Sequence, residues 1–493
     1  MNGHGNHGTH GPQPNPPNFF PPHHHTFSGV GEGTQLPGGL RGSVPSVDSV
    51  AHPGWSGRAE NRPFSHLPRN SRKNLKTLDM TSDTPSPPTS TQWDSGAADD
   101  SASVTFDDDV AVDPAVARSL HVVVVGAGAF GGWTALHLLR AGARVTLLDS
   151  WGPGNGRSSS GGETRAIRGV YGGDHAYVAW TAKSLGMWRD FEADSGETFF
   201  RRAGVLWMVG GDERYVRASL THLSACGLSF EELSTTEAAA RFPQINFDGV
   251  EWALLEHDAG FLYAGHACRV VRDRFVAEGG NYRQHDVRVG AWTGGALSHL
   301  TLSDGTTLSA DQFVFACGPW LGGMFPDVIG DLIVPTRQEV YYMGTPAGDS
   351  RFNEGNLPVW IDFGKTIYYG FPATSTRGFK IADDTRGPPL DPTNADRLPS
   401  AEAVRRAQRH LEYRFPALAG APLIEARVCQ YANTPDGHFI VDRHPSADNV
   451  WLVGGGSGHG FKLGPALGDF VARRVLTGRD THPLLSLQRF ERS

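Results

Sequence analysis

The stretch "HVVVVGAGAFGGWTALHLLRAGARVTLLDS", His121 to Ser150, decides the fold. His121–Val125 is a nearly continuous β-branched run, the composition of a strand buried on both faces. Gly126, Gly128 and Gly131 follow in GxGxxG spacing, with Ala127, Ala129 and Phe130 between them. From Phe130 to about Ala141 the sequence predicts a helix with Ala135, Leu136, Leu138 and Leu139 available for packing, and Gly142 ends it. Arg144–Leu148 predicts a second strand closing on Asp149. Gly126 permits the tight turn, Gly128 lets backbone approach a pyrophosphate, and Gly131 lets helix pack on strand. The helix N-terminus offers unpaired N–H groups and about half a positive charge to phosphate. Asp149 can accept hydrogen bonds from an adenosine ribose, and its charge disfavours a 2′-phosphate. The unit predicts a dinucleotide-binding Rossmann domain without separating NAD from FAD.

Downstream, "SWGPGNGRSSSGGETRAIRGVYGGD" (Ser150 to Asp174) is a long Gly/Ser-rich loop where an NAD domain usually continues into a compact helix–strand pair. It carries Thr164, Arg165 and Arg168, the arginines at helical i, i+3 spacing beside apolar Ile167 and Tyr171. A solvated surface turn is the plainer reading of that loop. Near the other end, "NVWLVGGGSGHGFKLGPALGDFVARRVLTG" (Asn449 to Gly478) repeats the strand, glycine loop and helix, with Pro465 suited to the first helical turn and Gly478 beyond its end. A second glycine-rich helix start can polarise a second ligand feature, such as the electron-rich edge of a reduced flavin, and Lys462 stands at its mouth.

Five segments then occur in order: "VVVVGAGAFGGWTA" from Val122, "SSSGGETRAIRGVYG" from Ser158, "YYGFPATSTRGFKIADD" from Tyr368, "CQYANTPDGHFIVDRHP" from Cys429 and "GGGSGHGFKLGP" from Gly454. Together they resemble the monomeric sarcosine oxidase and N-methyl-amino-acid oxidase family of flavoproteins, over roughly His121 to Gly478. The resemblance implies FAD, held by the first glycine motif, by Asp149, Ser159, Thr164 and Arg165, by Val287 beside the adenine, and by Gly458 and Gly460. Cys429, Tyr431 and Thr434 match a Cys-x-Tyr-x-x-Thr pattern, which implies a thioether from Cys429 to the flavin; a buried structural thiol is the other reading. It further implies that Arg165 supports flavin reactivity and that Lys380 activates oxygen. Arg168 and Lys462 match a pair that grips the substrate carboxylate, and Tyr369 matches a tyrosine lining the substrate cavity. Two family histidines are replaced, by Gly161 and by Asp384, which argues against sarcosine itself as the substrate.

The 493 residues carry a formal net charge of −8 with no sustained basic face, so nucleic acid is not an expected partner. Cys226, Cys268, Cys317 and Cys429 show no CxxC spacing, which argues against a disulfide framework or a zinc site and fits a reducing compartment. No apolar run approaches the roughly 20 residues of a membrane helix, and no signal peptide is read at Met1. The expectation is a cytoplasmic monomer with no metal and no membrane association.

The predicted architecture is α/β: a Rossmann-type FAD-binding domain interleaved with an antiparallel β-rich substrate domain, preceded by a long disordered N-terminus. Residues 1–118, rich in Gly, Pro, His, Ser and Asp, lack the periodic apolar content that offsets chain entropy. The FAD domain is assigned 119–202, 261–329 and 428–493, and the substrate domain 203–260 and 331–427. Strands "VLWMV", "QEVYYMG" and "TIYYGFP" should build the antiparallel sheet, and Glu402–Tyr413 a surface helix. The implied reaction is oxidation of the C–N bond of a small, secondary or N-methyl amino acid, with oxygen as acceptor and peroxide as product. A dehydrogenase of the same fold with another acceptor, or a non-catalytic flavin-binding protein, are the alternatives.

Overall fold

Strand His121–Val125, helix Ala129–Arg140 and strand Arg144–Asp149 form the predicted unit in the computed structural model, which describes residues 106 and 110–491. The strands pair in parallel, Val123 opposite Thr146, and all five residues of the first are buried. The helix begins one residue before Phe130, with Gly128 as its N-cap. Two glycines are sterically required. Gly126 has φ 106°, and a Cβ there would lie 2.3 Å from the Ala316 carbonyl oxygen; a Cβ on Gly131 would lie 1.9 Å from that of Gly126.

This unit is the centre of a six-stranded sheet in the order 440–444, 447–454, 312–315, 121–125, 144–149, 281–284. Only the outermost pair, Ile440–His444 with Ala447–Gly454, is antiparallel. The loops after Val125, Phe315 and Gly454 therefore leave the sheet together at its carboxyl edge, where open α/β sheets bind ligands. Helix Gly464–Thr477 carries Pro465 in its first turn and ends on left-handed Gly478. It packs on helix Ala129–Arg140 through Gly464 and Gly468, where any Cβ would meet Trp133 or its backbone.

An eight-stranded sheet follows the order 423–433, 334–343, 379–383, 367–371, 359–363, 205–209, 252–256, 230–234. All three predicted strands are in it. It is not wholly antiparallel: Val205–Val209 and Val359–Phe363 run parallel, because two segments remote in sequence are brought side by side by a long crossover. Strand Leu423–Asn433 forms one ladder with Val334–Met343, from Leu423 opposite Met343 to Asn433 opposite Val334. The boundary expected at 428 thus falls inside a continuous strand. A small sheet of Thr164–Ile167, Gly260–Tyr263 and Phe200–Arg201 takes the place of a helix here, with Arg165 inside its first strand and Arg168 directly after it.

Helix Ala401–Arg414 starts on the Ser400 cap and is anchored at its end by Arg414, whose guanidinium meets Asp362 at 2.8 Å. Order begins earlier than residue 118. Asp113 caps helix Pro114–Ser119 through the Ala115 N–H at 2.8 Å, and Phe106 is buried against Tyr177 and Trp180. The rest of the expected disordered segment, His23–His25 included, lies outside the described residues. Among the described residues no helix is long and apolar enough to cross a membrane.

Candidate active site

At the carboxyl edge of the six-stranded sheet lies a cavity of about 450 Å³. Gly126, Gly128, Ala129 and Phe130 line it from the first glycine loop, and Gly458 and Gly460 from the second. Asp149, Ser159, Arg165 and Val287 of the predicted set also stand on its wall, while Cys429 does not. Ala127 and Gly131 do not line it. The Ala127 N–H is spent on Asp149 Oδ2 at 2.8 Å, and Gly131 serves the helix–strand contact. Asp149 also accepts the N–H groups of Trp151 and Gly152, so it fixes the loop as well as facing the cavity.

These residues fit the FAD that the resemblance implies. A Cβ on Gly128 would approach Ser160 Oγ to 3.0 Å, one on Gly458 would approach the Tyr431 ring to 2.8 Å, and one on Gly460 the Phe130 ring to 2.5 Å. The backbone is bare where an extended cofactor must pass. Trp151 and Trp320, with ring centroids 4.9 Å apart, stand at the same cavity and were not singled out as site residues.

A second cavity of about 80 Å³ shares Arg165, Tyr431, Gly458 and Phe461 with the first. Around it the fold assembles Thr164, Arg165, Arg168, Tyr369, Lys380, Cys429 and Lys462, which come from four separate stretches of chain. Thr164, expected at the cofactor, faces this smaller space instead.

Lys380 is 3% exposed and donates to the Thr164 carbonyl at 3.0 Å, with its ammonium 4.3 Å from the centre of the Phe371 ring. Burial, and then the Arg165 charge, push its pKa down to about 7. Arg165 is held rigid by three carbonyls, donating to Thr164 O at 2.8 Å, Ser159 O at 2.8 Å and Gly161 O at 2.7 Å. Gly161 has no room for a side chain: a Cβ would lie 2.1 Å from the Asn155 carbonyl oxygen. Tyr369 and Tyr431 hydroxyls lie 3.3 Å apart, and Tyr431 donates to Asp384 Oδ1 at 3.2 Å. Cys429 sits opposite Gln338 in the sheet and lines the small cavity.

On the lining of the same cavity, Arg168 and Lys462 are 6% and 3% exposed. The Arg168 guanidinium lies against Tyr171 and Trp207, 5.1 and 5.2 Å from their ring centres, and donates to the Val170 carbonyl. The Lys462 ammonium is 4.6 Å from the same Tyr171 ring and donates to the His459 carbonyl at 3.1 Å. Burial, and then Arg168, hold the Lys462 pKa well below the usual lysine range. His459 donates from Nε2 to Gly437 O at 3.0 Å, which leaves Nδ1 to accept from the Tyr171 hydroxyl at 3.1 Å. Behind the pair stands Glu256, which sequence reasoning missed. An acid closing the buried strand Trp252–Glu256 is the only signal that could have pointed to it.

The model of the family described as DAO, FAD dependent oxidoreductase, matches residues 121–474. The monomeric sarcosine oxidase of Streptomyces avermitilis is 32% identical over 373 residues, covering 74% of this chain and 95% of that protein. The peroxisomal sarcosine oxidase of Mus musculus is 30% identical over 358 residues, covering 71% and 90%. Among solved structures, L-proline dehydrogenase from P. horikoshii superposes with a TM-score of 0.66 at 22% identity, covering 76% of this chain and 98% of that one. That last likeness speaks to the fold alone.

Proposed function

Since the chain belongs to the FAD dependent oxidoreductase family, we propose that it oxidises the C–N bond of a small secondary or N-methyl amino acid, with oxygen as acceptor and peroxide as product. One observation carries this reading: Arg168 and Lys462 are both buried on the lining of a small cavity that shares a wall with the cofactor-sized one. An anion entering this cavity would meet both groups together, and a substrate carboxylate is the anion of matching size. FAD, when bound, supplies the two-electron acceptor.

The chain's own groups do the rest. Arg168 and Lys462 fix the carboxylate and so orient the amine end of the substrate. The aromatic walls, Tyr369, Phe371 and Tyr431 among them, keep water from the reacting bond. Lys380 places a cation where negative charge develops on oxygen. The imine product hydrolyses in water to an amine and a carbonyl compound. Asp384 and the side-chain-free position 161 favour a substrate other than sarcosine. Under air, one peroxide formed per substrate oxidised supports oxygen as the acceptor. Little peroxide with fast reduction of an added dye would make the protein a dehydrogenase.

Cys429 is proposed as the covalent tether. Cys429 lines the small cavity, two residues before Tyr431, which lines both cavities. Flavin is expected to stay with the chain after acid precipitation, and Cys429→Ser to release it with the circular dichroism spectrum unchanged. Flavin lost to the same extent from both proteins would end the tether assignment.

A further inference from the structure

Glu256 closes strand Trp252–Glu256 and is 4% exposed, yet it does not line either cavity. Resting on the carboxylate-pair reading above, we propose that Glu256 is a positioning residue for substrate recognition: it fixes the Arg168 guanidinium through Gly169 and Trp207 and supplies the countercharge that keeps Arg168 and Lys462 buried together.

Its two oxygens act on Arg168 from two directions. Oε2 accepts the N–H of Gly169, the residue directly after Arg168, at 2.6 Å. Oε1 accepts the indole N–H of Trp207 at 2.8 Å, and the Trp207 ring is one of the two rings against which the guanidinium lies. Strand Val205–Val209 holds Trp207 in register beside strand Trp252–Glu256, so the platform and its anchor belong to one rigid ladder. Gly169 has no slack either: a Cβ there would lie 2.6 Å from Leu223 and 3.2 Å from Glu256 Oε2.

The charge argument runs the same way. Burial raises the Glu256 carboxyl above its ordinary range, while the Gly169 and Trp207 donors, and then Arg168 and Lys462, oppose that rise. In turn, among the groups that support the Lys462 ammonium against burial and Arg168, Glu256 stands first and Asp384 second. Removing the charge of Glu256 would ease its repulsion of an incoming carboxylate, but Glu256 does not face the cavity and the substrate never meets it directly. The lost platform and the weakened ammonium are therefore the larger effects.

The test uses propionate, a carboxylate that cannot be oxidised at a C–N bond, titrated calorimetrically into flavin-loaded protein. Glu256→Gln preserves the side-chain volume, and its expected result is a Kd about tenfold above wild type, the scale of one charge-assisted hydrogen bond. In an Arg168→Ala background the same change should weaken propionate less than it does in wild type, since the route through the guanidinium is gone and only the route through Lys462 is left. Trp207→Phe keeps an aromatic ring, though a smaller one, and removes the indole N–H, and is expected to raise the Kd severalfold, which covers the case in which Glu256→Gln does not fold. A Kd equal to or below wild type in the folded variants, or an additive loss in the double variant, would overturn the role of Glu256 while leaving the carboxylate pair standing. Wild-type protein that gives no propionate heat would bring down the carboxylate pair, and the role of Glu256 with it.

Discussion

Arg168→Ala and Lys462→Ala are each expected to raise the KM for an amino-acid substrate by about 30- to 5000-fold, the ~2–5 kcal/mol lost when one partner of a buried charge pair is truncated. The corresponding uncharged amine should lose far less. Both cations are almost completely buried, and each already rests on an aromatic face and a backbone carbonyl. Those contacts orient the two groups along the cavity, so a carboxylate entering it gains two partners at once. With one cation gone, the carboxylate would leave water for a single partner, and the desolvation penalty of several kcal/mol per ion would be poorly offset. Steady-state kinetics with an acid and amine pair of substrates checks this. Equal losses for acid and amine would make the two residues supports of the flavin or the fold.

The second large effect is expected at Lys380. Replacing it by Met should slow re-oxidation by oxygen about 10²- to 10³-fold, the range seen when one preorganised electrostatic stabiliser is removed. Reduction by substrate should change little. Lys380 is buried, donates to Thr164 and lies over Phe371, so Met can occupy its path without the charge. The pH dependence follows from its pKa of about 7, lowered by burial and then by Arg165. The ammonium form predominates below that value, so re-oxidation should be fast on the acid side and fall as pH rises through it. Stopped-flow traces of both half-reactions decide the matter. Equal slowing of the two would make Lys380 a structural lysine of the strand.

What the sequence disclosed followed from how local its physical causes are. The glycines of the first loop were legible because the contacts that demand them lie within a few residues: Gly131 against Gly126 is a 1.9 Å conflict for any other side chain. The short helix Pro114–Ser119 carried its own signals, Asp113 as cap and Pro114 at the first turn, but six residues are too few to show a hydrophobic period. The parallel pairing of Val205–Val209 with Val359–Phe363 leaves no local mark, since direction depends on the path between two remote segments. Arg168 and Lys462 were legible only through resemblance; what brings them together is the meeting of the Thr164–Ile167 strand with the Gly454–Gly460 loop. Glu256 was invisible, because an acid at the end of a buried strand looks in sequence like the first residue of a solvated turn.

The most direct test of the whole account is an anaerobic one. Flavin-loaded protein is mixed without oxygen with N-methyl, cyclic and D-amino acids, and with the same compounds lacking the carboxylate, while flavin absorbance is followed. The account predicts that at least one secondary or N-methyl amino acid bleaches the flavin and that its decarboxylated counterpart, at the same concentration, does not. Bleaching by the amines alone, or by none of the compounds, would contradict it.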